Sequence, residues 1–342
     1  YLWDGKVSAH GINPFALAPT DSALVSLHTA ELPSKVNFPS MRTIYPPLAQ
    51  GLFHVSHLLF GDSLVGLKLL LVLADLLTIL ILYKLFSVRP EALLVYAWSP
   101  LPVLYFGLDG HIDALGIPLL FVALYLLQQG KVMQGALSVG LSALAKLYPL
   151  FVAPFLFHLA KGWKKIVLVG IPVIVLLLGY LFYWEPTGGV FESLVIFNTT
   201  FAFNGSLFQL AYTFIGSNEK AHLVSIALFL IWWITVFALD RSLLEKVFLA
   251  FVGFIVCAPT VHPWYLTWLA ALLAVRWSPA VFALLGVSVV SNWVVYEYRL
   301  NGLWETNALL LVLEYVPFYI MLFREMLQGT FLLRQASVGL KK

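Results

Sequence analysis

Residues 166–183 read IVLVGIPVIVLLLGYLFY, a run without one charged side chain. A helix needs about 20 apolar residues to cross the hydrocarbon core of a bilayer, and this run comes close. Residues 64–84, LVGLKLLLVLADLLTILILYK, form a second, with Lys68 and Asp75 as its only internal charges. Neither run alternates apolar with polar residues as a barrel strand does, so both predict membrane-spanning helices. The same texture predicts further spans at 91–107, 113–128, 132–145, 147–160, 222–239, 247–259, 264–276, 279–296 and 306–323. The predicted fold class is all-α, a polytopic transmembrane helical bundle of about eleven spans. Several spans hold only about 13 residues, near 20 Å of helix, and are expected to be half-helices or to lean on broken partners.

Composition agrees. Of the 342 residues, 61% are hydrophobic and 11% charged, and the mean hydropathy is +0.91. A soluble domain carries about 25% charged residues, so that class is excluded. The net charge of +3 gives no ground for a nucleic-acid partner. The single cysteine, Cys257, has no partner for an internal disulfide.

Lys and Arg in short loops set orientation, because cytoplasmic loops collect them. Placing residues 1–63 outside puts Lys84, Arg89, Lys131, Lys161, Lys164, Lys165, Arg241, Lys246, Arg276, Arg324, Arg334, Lys341 and Lys342 on the cytoplasmic side, together with the C-terminus. The implied location is a plasma membrane, or the endoplasmic reticulum membrane in a eukaryote, with the polar clusters extracytoplasmic. No apolar span precedes residues 1–63, and exporting such a loop normally requires a leading helix or signal. One more transmembrane helix is therefore expected before Tyr1. The organisation that follows is an outer loop with juxtamembrane helices at 1–63, a catalytic transmembrane module at 64–183, a second outer loop at 184–221 and a C-terminal transmembrane module at 222–342. Within the loops, PPLAQGLFHVSHLLF at 46–60 predicts an amphipathic helix lying on the membrane, and SLFQLAYTFI at 206–215 an interfacial or re-entrant one.

This topology gathers scattered polar motifs on one face: WDGKVSAHGINPF (3–15), RTIYPPLAQ (42–50), LDGHIDAL (108–115), AKLYP (145–149) and TVHPWY (260–265). Pro149 and Pro263 are helix breakers whatever else they do. His262 with Trp264, Tyr265 and Trp268 suits an interfacial aromatic belt as well as a binding site. Lys146 stands at a helix break where the positive-inside bias disfavours it, which points to a ligand role. Asp109, His111 and Asp113 have metal-ligand side chains and permit a divalent ion, while helix capping by Asp113 explains the same residues. Asn198 and Asn204 each begin an acceptor sequon expected outside.

A cavity open to both lipid and water suits a polyprenyl-phosphate sugar, whose chain stays in lipid while its phosphate needs cations at headgroup level. Lys146, His262, Arg42 and Arg299 are the available cations or donors. Phosphate is a good leaving group, so a carboxylate to take the acceptor's proton would complete the chemistry. Asp4 is the candidate base. The expected partners are a polyprenyl-phosphate sugar donor, a glycan or glycolipid acceptor and membrane lipid. A transporter or flippase for a lipid-linked sugar is the alternative, but only Lys68, Asp75 and Glu314 could line a midplane route, and no inverted repeat is visible.

The series YLWDGKVSAHGINPF, IYPPLAQGLF, GHIDAL, KLYP and HPWY resembles the C-type (GT-C) glycosyltransferases. It is nearest the polyprenyl-phosphate-mannose-dependent mannosyltransferases of bacteria and archaea and their relatives in glycolipid-anchor assembly. The resemblance implies inverting transfer from a lipid-linked donor by a GT-C bundle. It places His262 and Lys146 near the donor phosphate and an acidic base in the first outer loop. That acid usually stands a few positions before the Tyr-Leu-Trp-Asp-Gly stretch, and Asp4 matches a second acidic position of the pattern. Tyr45, Asp109, His111, Asp113, Tyr148, Trp264 and Tyr265 belong to the same motifs and are read as substrate-binding. Relatives that transfer arabinose or glucose share this architecture, so the motifs leave the sugar open.

Overall fold

The computed structural model describes residues 1–185, 189–302, 304–305 and 307–331. Arg334, Lys341 and Lys342, counted above on the cytoplasmic side, lie outside the described residues. The α-helices in chain order are α1 (Leu2–Ala9), α2 (Pro47–Phe60), α3 (Leu64–Lys84), α4 (Pro90–Ala97), α5 (Pro100–Pro102), α6 (Asp113–Gln128), α7 (Val132–Ala145), α8 (Lys164–Leu181), α9 (Glu192–Thr200), α10 (Ser206–Ile215), α11 (Asn218–Ala238), α12 (Leu243–Cys257), α13 (Thr267–Val275), α14 (Pro279–Val287), α15 (Trp293–Asn301) and α16 (Ala308–Leu327). Among the described residues there is no sheet, only bridges joining Phe203 and Asn204 to Thr260. The fold is all-α, as predicted.

Among the described residues, five continuous helical segments are long and apolar enough to cross a membrane: Leu64–Lys84, Pro90–Leu108, Lys164–Leu181, Asn218–Ala238 and Pro279–Asn301. Shorter apolar helices include Asp113–Gln128, Val132–Ala145, Tyr148–Leu159 and Pro263–Val275. The predicted span at 147–160 is a 3₁₀ helix, Tyr148–Leu159, rather than an α-helix. Pro149 stands in its first turn, where no intrahelical bond is lost, and Pro154 removes one backbone donor from its interior. At about 2.0 Å rise per residue it reaches about 24 Å, against about 18 Å for an α-helix of the same length.

The described residues form two compact units, 1–77 with 105–199, and 78–104 with 200 onward. In the first, α7 packs on α6 and α8 through small residues. A Cβ at Gly140 would come within 2.7 Å of Val175 on α8, so only glycine permits this approach. Ser138 Oγ donates to the Leu119 carbonyl at 2.9 Å and Ser142 Oγ to that of Gly116 at 2.7 Å. Small residues and hydroxyl bonds of this kind join helices where lipid offers no hydrophobic drive. The opposite side of α8 and one face of α3 leave Ile174, Leu177, Leu69, Leu73, Leu76 and Leu80 exposed, a surface suited to hydrocarbon.

In the second unit, α12 starts from a capping box in which Ser242 and Glu245 satisfy each other's backbone amides. Every residue of α13 from Thr267 to Ala274 is buried, and Trp268 stacks on Phe251 with centroids 5.6 Å apart. Glu325 of α16 accepts from Ser278 Oγ and the Ala280 amide, tying α16 to the start of α14.

Candidate active site

The first unit assembles its polar centre around α1 and α2. Trp3 and Val7 bury one face of α1 against Leu24. Gly5 sits directly on the α2 backbone, where any Cβ would strike the Phe53 carbonyl. These two anchors fix Asp4, which lies between them in sequence and is half-buried. Asp4 Oδ2 accepts a hydrogen bond from Thr43 Oγ1 at 2.9 Å. The same hydroxyl oxygen accepts from Gln50 Nε2 at 2.8 Å and from the Tyr45 amide at 3.3 Å. Both of those groups can only donate, so the Thr43 proton must point at Asp4.

Helix α2 turns a mixed face inward, in which Gln50 and Ser56 are buried beside Ala49 and Phe53. Leu58, Leu59 and Phe60 are exposed. Tyr1 stacks on Phe53 at 4.7 Å and meets Tyr45 edge-on, also at 4.7 Å. The Tyr1 and Tyr45 hydroxyls are hydrogen-bonded to each other. Burial, with the Tyr45 contact and the Asp113 charge adding to it, raises the Tyr1 phenol well above its ordinary range. Tyr45 is pushed up to about 12, chiefly by burial, with the charges of Asp4 and Asp113 adding to it against the Tyr1 hydrogen bond. Both phenols therefore keep their protons at neutral pH and can serve as hydrogen-bond donors.

Asp113 opens α6 and Lys146 follows the last residue of α7 in an extended conformation. Lys146 Nζ lies 3.2 Å from Asp113 Oδ2, with Asp113 fully buried and the lysine side chain 14% exposed. The Tyr148 ring lies 5.4 Å from the same ammonium.

The other predicted residues are distributed as follows. Arg42 Nη1 pairs with Glu192 Oε2 at 3.0 Å, which ties residues 189–192 to the first loop. Asp109 is exposed, His111 half-buried and Asp113 buried. Among the described residues no group of three or more His, Cys, Asp or Glu is placed to hold a metal ion. The trio Asp109, His111, Asp113 thus does not converge, because its third member faces inward to Lys146.

His262, Trp264 and Tyr265 belong to the second unit. The His262 ring is stacked with Trp264 at 4.1 Å and with Phe203 at 4.6 Å, and Tyr265 approaches edge-on at 5.5 Å. Asn204, expected as an acceptor sequon, is buried and donates through Nδ2 to Glu314. Tyr1, Thr43, Gln50 and Phe203 were not singled out by the sequence. A Thr and a Gln flanking the Tyr-Pro-Pro turn in RTIYPPLAQ were the only available hint.

Residues 1–162 match the family model described as Alpha-(1->6)-mannopyranosyltransferase, N-terminal domain, of the MptA/B family. Over that segment, a little under half of the chain, the protein is similar to this mannosyltransferase family. No curated protein matches the chain. The matched segment runs from α1 through the 3₁₀ helix at 148–159 and contains Asp4, Thr43, Tyr45, Asp113, Lys146 and Tyr148. Arg42 also falls within it, whereas His262, Trp264 and Tyr265 lie beyond it.

Proposed function

We propose that this mannosyltransferase moves a mannosyl unit from a polyprenyl-phosphate donor to a glycan or glycolipid acceptor at the extracytoplasmic face, inverting the anomeric carbon. Spans additional to the five long ones come from the shorter apolar helices and from α16, the predicted span at 306–323. The observation that carries the reading is the placement of a carboxylate, Asp4, and a buried ion pair, Lys146–Asp113, around one pair of protonated phenols.

In this scheme Asp4 takes the acceptor hydroxyl's proton as the oxygen attacks the sugar's anomeric carbon. The bond from that carbon to the phosphate oxygen breaks on the opposite side. The departing phosphate keeps the electron pair, and Lys146 stabilises its charge. Tyr1 and Tyr45 supply neutral donors where added carboxylate charge would repel the phosphate. Asp113 holds the lysine in place between turnovers. His262 is assigned to the donor phosphate through its family-like His-Pro-Trp-Tyr motif, with Trp264 and Tyr265 facing substrate. The buried, three-way hydrogen-bonded Thr43 supports Asp4 as base, because a general base must be held in one orientation.

The test uses the full-length chain in lipid with polyprenyl-phosphate-mannose and a membrane lipid extract. Wild-type protein should yield mannosylated lipid. Removal of a general base is expected to lower kcat by about 10²–10⁴-fold in D4N. K146A should chiefly raise the donor KM. Wild-type kcat in D4N would remove Asp4 from the mechanism, and no turnover with any polyprenyl-phosphate sugar would remove the reading itself.

A further inference from the structure

The second unit contains a buried carboxylate that the scheme above leaves unused. Glu314 on α16 is 1% exposed. Its Oε2 accepts from Asn204 Nδ2 at 2.9 Å, and its Oε1 has no hydrogen-bond partner among the described residues. A half-satisfied carboxylate inside an apolar helix is costly, and a residue of that kind in a membrane segment marks function by default.

Glu314 holds a strained turn. Asn204 has φ of 53°, in the left-handed region that residues with a side chain seldom occupy. The turn is gripped twice by α16, through the Glu314 bond and through Tyr315 Oη, which donates to the Asn204 carbonyl at 2.9 Å. Directly before it, Phe203 pairs with the segment that carries the histidine. The Phe203 amide donates to the Pro259 carbonyl at 3.0 Å, and the Val261 amide to the Phe203 carbonyl at 2.7 Å. Gly205 presses so closely on this segment that a Cβ would lie 2.6 Å from the Ala258 and Pro259 carbonyls.

The result is a fixed imidazole. Phe203 and Trp264 stack on His262 at 4.6 and 4.1 Å, and two rings at such distances must occupy opposite faces. With both faces covered, the ring can address a ligand only through its nitrogen-bearing edge. We propose that Glu314 is a positioning residue for transfer: by pinning Asn204 it holds Phe203 against His262 and so aims the imidazole edge at the donor phosphate. This rests on the assignment of His262 made above.

The experiment measures donor KM and kcat separately, in lipid, for H262A, E314L, E314Q, N204G and the double variant N204G/E314L, using polyprenyl-phosphate-mannose. Behind metal ligands, loss of a supporting group changes affinity by about 10–100-fold; on that scale E314L should raise donor KM by about tenfold or more with a smaller change in kcat. Glycine accepts the positive φ but lacks the amide, so N204G should reproduce the E314L effect. The double variant should be no worse than either single one, because both break the same link. E314Q still offers a carbonyl to Asn204 and should restore the wild-type KM.

A purely structural role would lower the melting temperature and the active fraction while leaving donor KM unchanged. If H262A is impaired but E314L and N204G keep the wild-type donor KM, the positioning role is wrong. If H262A itself binds and turns over donor like wild type, the assignment of His262 fails instead.

Discussion

At the scale of single residues, the Thr43 hydroxyl connects the most chemistry. It accepts two hydrogen bonds and donates one, to Asp4. T43V keeps the shape and removes all three. The buried Gln50 amide keeps its bond to the Tyr45 carbonyl at 3.2 Å and loses the one to Thr43, a cost of about 1 kcal/mol. We expect kcat to fall by about tenfold or more with donor KM little changed, as for an interaction used only during reaction. Steady-state kinetics in lipid would decide it, and an unchanged kcat would disconnect Thr43 from Asp4. Tyr45 gives a second prediction, in pH. Burial pushes its phenol up to about 12 in the folded chain, above the ordinary value of 10.0. Above pH 10 the unfolded chain loses the phenolic proton while the folded chain retains it, so stability is constant below about pH 10 and declines from there to about pH 12. Y45F should show a shallower decline over that window in thermal melts. An identical slope would place the alkaline sensitivity elsewhere. Site residues were legible in the sequence where their type was anomalous for its surroundings, as with Lys146 at a helix end. Gln50 and Thr43 are ordinary residues made important by what they face, which no local pattern encodes.

At the scale of elements, the predicted limits of 113–128, 132–145 and 206–215 coincide with α6, α7 and α10. Strong punctuation explains that agreement: Gly-Lys at 130–131, Lys-Leu-Tyr-Pro at 146–149 and Gly216 each stop a helix in the sequence itself. The 3₁₀ character of 148–159 was less legible, because apolarity looks alike at either helical pitch. Short polar helices such as α1 and α9 gave no periodic signal and form through their packing on neighbours. The α7–α8 contact offers a direct test. Gly140 has Val175 within reach of any added Cβ, whereas nothing lies near Gly170 on α8. G140L should destabilise by about 1–3 kcal/mol through overpacking. G170A should be neutral or stabilising by up to about 1 kcal/mol from helix propensity. Thermal melts of both variants in one detergent would compare them, and equal melting temperatures would mean that α7 and α8 do not pack as described.

At the scale of the whole molecule, the proposed orientation can be checked with the chain's own chemistry. The single cysteine, Cys257, is buried, so a C257A background gives a clean start for cysteine labelling. In intact cells or spheroplasts S63C should react with a membrane-impermeant maleimide, and K161C only after the membrane is opened. The reverse pattern would turn the protein over and exclude an extracytoplasmic site. The exposed leucines of α3, Leu69, Leu73, Leu76 and Leu80, carry a consequence of their own. The polypeptide completes only half of the packing around that helix, and acyl chains must provide the rest. Stability here is thus a shared property of protein and lipid, and the same chain will have a different resistance to unfolding in each bilayer that hosts it.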